Sequence, residues 1–140
     1  MSEQRATGRP LLVTDVGVRL PATLTASGLA MLAELPAAQV RALFPGAAAF
    51  VQRDGLGPAT PAALRTILQQ TRQRGYAVES GQITPGLSSV ARAVLDHTGH
   101  PAAAVAVTFR DEAVDGAQHD QLVTAVGRAA FKVAEAACRS

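Results

Sequence analysis

Apolar residues recur at helical spacing in four segments of the chain, and the sequence predicts a helix in each of them. The four segments are residues 25–35, 37–44, 61–74 and about 118–138. The third has the clearest ends, because Thr60 can cap the helix, Pro61 suits its first turn and Gly75 can terminate it.

Four shorter segments are rich in β-branched and apolar residues, and the sequence predicts strands there. These segments are residues 9–20, 76–78, 90–95 and 102–109. The turn-rich residues 96–101 favour an antiparallel hairpin between the last two strands. Residues 81–86 are expected to form a loop, 45–60 are the least regular stretch, and 1–8 are expected to be a flexible tail. Since strands and helices do not alternate regularly, the order predicts a single α+β domain over residues 9–140.

The composition is typical of a folded globular domain, with 48% hydrophobic and 17% charged residues in 140. Cys138 is the single cysteine, which excludes an internal disulfide framework and disfavours a zinc site built on sulfur. No run approaches the roughly 18 to 20 apolar residues that cross a bilayer, and residues 1–5 do not begin a signal peptide. We therefore expect a cytoplasmic protein without membrane contact.

The net charge is only +2, and the basic residues do not form a nucleic-acid-binding pattern. Arg65, Arg72 and Arg74 fall in the helix predicted over residues 61–74, and two of them lie in its last turn, where cations interact favourably with the helix dipole. A solvated helix face is the favoured interpretation of these arginines. We expect no direct DNA binding by this chain.

No catalytic motif was found: residues 25–28 lack the first glycine of a nucleophile elbow, and no phosphate-binding glycine-rich loop is present. Asp96, His97 and His100 could in principle hold a metal, but their place in a turn favours solvent exposure. We expect neither an enzyme nor a bound metal or cofactor. A small enzyme would need a base beside Ser27 or Ser89, and no histidine is evident for that role.

Two polar segments could form a binding site. Residues 24–28 place small residues at a strand-to-helix junction, where backbone N–H groups can hold a carboxylate. The competing interpretation is ordinary helix capping by Thr25 or Ser27. Residues 79–89 include Glu79, Gln82, Ser88 and Ser89, which form either a polar lining or a solvated loop.

The order of these segments resembles the effector-binding domain of IclR-type bacterial transcription regulators. Residues 17–33, Gly-Val-Arg-Leu-Pro-Ala-Thr-Leu-Thr-Ala-Ser-Gly-Leu-Ala-Met-Leu-Ala, are similar to the family stretch with Leu-Pro, Ala-x-Gly-Lys-Ala and Leu-Ala. Residues 72–79 and 85–91 resemble the family's Arg-Gly-Tyr segment and Gly-Val-x-Cys-Ile-Ala run, and residues 94–108 resemble its turn and closing strand. The resemblance covers roughly residues 9–138.

The resemblance implies a GAF-like or profilin-like α+β fold, an antiparallel sheet flanked by helices that encloses a small organic effector, often a carboxylic acid or aromatic compound. It also implies a homo-oligomer, a dimer or tetramer. The residues that match the family's pocket are Ala26, Ser27, Gly28, Glu79, Leu87, Ser89, Ala106 and Thr108. The family's winged helix and first sensor strands would precede residue 9, so we expect a domain truncated at its N-terminus.

Five positions depart from the family pattern and leave the implied pocket less polar. Leu29 replaces a lysine, Gln82 lies near a usual glutamate, Ser89 replaces a cysteine, Ala93 a proline and Ala106 a serine. We therefore expect an effector larger or more apolar than a two- or three-carbon acid. The alternative is a ligand-free dimerisation or interaction module that pairs with full-length regulators.

Overall fold

The computed structural model describes residues 22–52 and 55–139, which form an α+β arrangement. The helices are α1 (Ala26–Ala33), α2 (Ala37–Leu43), α3 (Pro61–Arg74) and α4 (Gly116–Arg139), and the strands are β1 (Ala77–Ser80), β2 (Leu87–Leu95) and β3 (Pro101–Arg110). Short 3₁₀ turns occupy Ala22–Leu24, Ala47–Ala49 and Asp111–Ala113. The predicted tail at 1–8 and the predicted strand at 9–20 lie outside the described residues. Within the described ranges, no helix is both long and apolar enough to cross a membrane.

Helix α3 begins and ends at the residues that the sequence predicted. The Thr60 side chain caps it by accepting a hydrogen bond from the Ala63 backbone N–H at 3.1 Å. Gly75 ends it with a φ of 91°, in the left-handed region that favours glycine, and its N–H donates to the Thr71 carbonyl at 2.8 Å. Local signals alone therefore define this element.

The three strands form an antiparallel sheet in the order β1-β2-β3, which includes the predicted hairpin between β2 and β3. Asp96 stabilises the hairpin turn, because its Oδ1 accepts hydrogen bonds from the N–H groups of Thr98 (2.8 Å) and His100 (3.0 Å). The hydrogen bond from the Thr98 hydroxyl, together with these two backbone bonds, lowers the pKa of the Asp96 carboxyl to about 2. The Asp96 Oδ1 atom therefore accepts hydrogen bonds from within the turn. His97 and His100, the other two residues of the candidate metal site, are both exposed.

Helices cover both faces of the sheet. On one face, α1 and α3 share a buried core cluster with Ala77 of β1 and Ala91 of β2, whose short side chains let the helices approach the strands closely. On the other face, α4 packs against β2 and β3 and buries Val126 and Ala130. Each fully buried leucine or valine in such a core contributes about 1.5–3 kcal/mol to folding.

Gly28 in the first turn of α1 allows the preceding 3₁₀ turn to pass directly over the helix. A β-carbon at residue 28 would lie 2.6 Å from the Ala22 Cα and would also collide with the Ala22 carbonyl oxygen. Both are backbone atoms, so no change of rotamer can relieve the collision. The start of α1 therefore requires glycine at this position.

We expect Gly28→Ala to destabilise the protein by about 1–2 kcal/mol, because overpacking costs typically 1–3 kcal/mol and alanine recovers up to about 1 kcal/mol of helix propensity. Urea unfolding followed by circular dichroism measures the change. The matched control is Gly46→Ala, since a β-carbon there would meet no atom within 4 Å. Equal stability of the two variants would contradict the close contact.

Candidate functional site

The sequence-predicted site residues of the sheet lie on the face that α1 covers. Side chains alternate between the two faces of a strand, and Ala91 points towards α1 in the shared core cluster. Ser89, two residues earlier, points the same way, and its register partners are Glu79 in β1 and Thr108 in β3. Glu79, Ser89 and Thr108 therefore form a polar row across the three strands.

The remaining sheet residues of the predicted site flank this row. Leu87 precedes Ser89 on the same face of β2 and is half-buried, while Ala106 pairs with Ala91 and is exposed. Ser88, in contrast, points to the α4 face. The structure thus brings together the five predicted sheet residues and excludes Ser88 from them.

The central pair of the polar row is a hydroxyl–hydroxyl hydrogen bond. The Ser89 Oγ and Thr108 Oγ1 atoms lie 2.8 Å apart, and both residues are buried, at 7% and 6% exposure. Either hydroxyl can be the donor, and each still has acceptor capacity to spare. A second hydroxyl is not a base, so this contact does not activate Ser89 as a nucleophile.

Glu79 is a buried carboxyl group that closes the loop after β1. Its Oε2 accepts hydrogen bonds from the backbone N–H groups of Gln82 at 2.6 Å and Ile83 at 3.3 Å. Burial raises the pKa of the Glu79 carboxyl, the two backbone hydrogen bonds oppose the rise, and the charge of Asp111 adds to it. The carboxyl group is therefore easier to protonate than an ordinary glutamate.

Gln82 carries the one buried side-chain polar atom for which the described residues provide no hydrogen-bond partner, its Oε1. An unpaired buried acceptor costs about 1–3 kcal/mol, and the backbone N–H of the same residue donates to Glu79. The sequence drew attention to Gln82 as one of the polar residues of segment 79–89 and as a departure from the family pattern. Only the structure of the loop shows that the Gln82 side-chain oxygen is buried without a hydrogen-bond partner among the described residues.

At the start of α1, the capping interpretation is confirmed for Thr25, whose Oγ1 accepts from the Gly28 N–H at 3.0 Å. Ala26 is buried in the core cluster, and Ser27 is half-buried. In the described part of the chain, the Ser27 hydroxyl makes no hydrogen bond. Among the predicted site residues Ala26, Ser27 and Gly28, Ser27 alone has a polar side chain, and its hydroxyl could bind a ligand.

A second polar group occupies the α4 face. The Ser88 hydroxyl donates a hydrogen bond to Asp111 Oδ1, and the Ser80 and Ser88 hydroxyl oxygens lie 3.0 Å apart. His119 lines the same cavity of about 240 Å³, but its ring packs edge-on against Phe109, with centroids 5.9 Å apart. Because the serine proton is directed to a carboxylate and not to the imidazole, this grouping is not a catalytic triad.

Comparison with known proteins gives the class of the domain. Residues 3–135 match the family model described as "Bacterial transcriptional regulator IclR C-terminal". The chain is 36% identical over 106 residues to the HTH-type transcriptional regulator XynR of Escherichia coli (strain K12), a match that covers 74% of this chain and 40% of XynR.

Solved structures agree in fold. The Agrobacterium tumefaciens repressor BlcR superimposes with a TM-score of 0.74 at 27% identity, over 88% of this chain and 50% of BlcR. The C-terminal domain of the E. coli regulator KdgR gives a TM-score of 0.75 at 22% identity, over 85% of this chain and 72% of that domain. The chain belongs to the IclR C-terminal family, and it spans two fifths to one half of the length of XynR and BlcR.

We expect the stability difference between Glu79→Gln and the wild-type protein to depend on pH. Since burial raises the pKa of Glu79 above its ordinary 4.5, the folded protein holds this proton more tightly than the unfolded chain. The wild type should therefore lose stability relative to the variant as pH rises from 4.5 through the folded pKa of Glu79.

Urea unfolding of both proteins between about pH 4 and pH 8 measures this difference. Glu112→Gln is the control, because the Glu112 side chain is 80% exposed. A difference between the wild type and Glu79→Gln that stays constant over the whole range would contradict the raised pKa.

Proposed function

We propose that this chain is the small-molecule-sensing part of an IclR-type transcription regulator and binds an organic acid or aromatic effector on the α1 face of the sheet. The observation that carries the proposal is the polar row of Glu79, Ser89 and Thr108, which is buried on the sheet face that α1 covers. Buried polar groups require partners, and Gln82, whose backbone N–H donates to Glu79, has a buried side-chain oxygen with no partner among the described residues.

The chemistry of the row defines what a ligand must offer. The Ser89–Thr108 pair uses one of its two hydroxyl protons internally, which leaves one proton and several lone pairs for a ligand. Gln82 Oε1 needs a donor. A hydroxy or phenolic acid offers both hydrogen-bond donors and acceptors. It therefore fits better than a ligand that has only acceptor atoms. Protonation of Glu79, favoured by its raised pKa, would reduce repulsion of the ligand's carboxylate.

The size of the ligand is proposed from the small side chains around the row. Ala93 and Ala106 lie on the same face and add no donor or acceptor, so they offer room and not hydrogen bonds. We accordingly propose a ligand larger or more apolar than pyruvate or glyoxylate. In this proposal the chain acts within a dimer or tetramer, and no DNA contact is assigned to it.

One observation favours a second candidate function. Ser89 and Thr108 already satisfy each other, and Glu79 Oε2 already accepts two backbone hydrogen bonds. A sheet face whose polar groups are paired within the chain can be stable without a ligand. The alternative function is thus a ligand-free dimerisation or interaction module that pairs with full-length regulators.

A thermal-shift panel of organic acids separates the two functions, because a ligand selective for the folded state stabilises it by about 2.7 kcal/mol at a hundredfold excess over Kd. We expect hydroxy or phenolic aromatic acids to raise the melting temperature more than pyruvate or glyoxylate at equal concentration. A larger shift with the compact acids would overturn the size proposal. No shift with any compound at millimolar concentration would favour the interaction module.

The double variant Ser89→Ala/Thr108→Val should abolish the shift produced by the best compound. Removing both hydroxyls together leaves no orphaned partner, so the fold should lose little stability. Thr124→Val is the matched control, since the Thr124 hydroxyl bonds only to the Asp120 carbonyl on the exposed side of α4. If the double variant binds the compound as well as the control does, the polar row is not the site.

A further inference from the structure

Helices α2 and α3 enclose a groove of about 210 Å³ that the sequence analysis did not anticipate. Its apolar floor is formed by Val40 and Phe44 of α2 and by Leu64 and Leu68 of α3. The two leucines are 1% and 2% exposed and belong to the main core. The ring of Phe44 also contacts the ring of Phe50, at a centroid distance of 5.3 Å. The two leucines therefore belong to the core, and Val40 and Phe44 pack against it as half-buried side chains.

Three arginines line the same groove: Arg41, Arg65 and Arg72. All three are exposed, and within residues 22–52 and 55–139 none of them forms an ion pair. The Arg72 guanidinium donates one hydrogen bond, from Nη1 to the Ala33 carbonyl at 3.0 Å, and keeps further N–H donors free. Three unpaired positive charges thus surround an apolar surface.

This combination selects one kind of occupant. Three cations that line one groove attract an anion that enters it. Arginine binds carboxylates in a bidentate manner, through two parallel hydrogen bonds. Since the floor offers only carbon atoms, the rest of the occupant must be apolar to gain from burial there.

We propose that the α2–α3 groove binds a monocarboxylate with an apolar tail, of the medium-chain fatty acid type. The tail lies on Val40, Phe44 and the two leucines, and the carboxylate is held by Arg65 together with Arg41 or Arg72. The groove is separate from the polar row, which lies on β1, β2 and β3 under α1. The inference therefore goes beyond the sensing function proposed above and does not depend on it.

Octanoate is the probe for this site, titrated into the full chain while amide chemical shifts are recorded by NMR. We expect saturable shifts of α2 and α3 amides. Octanol, which has the same tail without the charge, should bind at least tenfold more weakly. Equal affinity for octanol, or no saturable shifts at millimolar octanoate, would overturn the proposal.

Two kinds of variant locate the site. Arg41→Gln/Arg65→Gln removes charge from the groove and should weaken octanoate binding by roughly tenfold or more, since hydrogen bonds to charged groups are among the strong ones. Arg128→Gln is the matched control, an exposed arginine on α4, and should bind octanoate as the wild type does. If Arg128→Gln weakens octanoate binding equally, the effect is one of net charge, and the proposed site is wrong.

Ala37→Trp fills the groove from the first residue of α2 while it leaves every arginine in place. It should block octanoate binding without lowering the melting temperature, because Ala37 is exposed. If Ala37→Trp binds octanoate normally, the groove is not the site. If Ser89→Ala/Thr108→Val instead abolishes octanoate binding, octanoate occupies the polar row, which overturns this inference and supports the proposed function.

Discussion

The burial of β2 on both faces is the constraint on which the rest of the structure depends. As the middle strand, it is covered by α1 on one side and by α4 on the other, so that Ser88 and Ser89 are buried together with Val90 and Ala91. Two buried hydroxyls in a central strand must find partners inside the protein. Ser89 finds one in Thr108 on the α1 face, and the other serine bonds to Asp111 on the α4 face.

The sequence predicted each helix and strand of the described residues, but it placed bounds correctly only where the signals are local. The bounds of α3 follow from Thr60, Pro61 and Gly75, which all act within one helical turn of its ends. The predicted β2 began at residue 90, whereas the strand begins at Leu87. Its first three residues are held by bonds to β1 and β3, and no pattern within the strand itself reveals them.

The same distinction applies to the candidate sites. Ser89, Ala106 and Thr108 were predicted as site residues from the resemblance to the family's pocket, and only the register of β2 and β3 shows that they share one face of the sheet. The arginine-lined groove depends on side chains of α2 and α3 that line one cavity, although an irregular stretch separates the two helices in the sequence. Arg65 and Arg72 were therefore interpreted as a solvated helix face, and their position beside an apolar floor emerged only from the packing.

The alanines beside the polar row have a consequence for how domains of this kind diverge. Ala93 and Ala106 carry no hydrogen-bonding side chain, so exchanging either for a larger or smaller residue changes the space on the α1 face without orphaning a polar group. A change at Ser89 or Thr108, in contrast, leaves the other hydroxyl without its hydrogen-bond partner. The space available to a small molecule on this face can thus change at Ala93 and Ala106 while the hydroxyl pair of this chain stays intact.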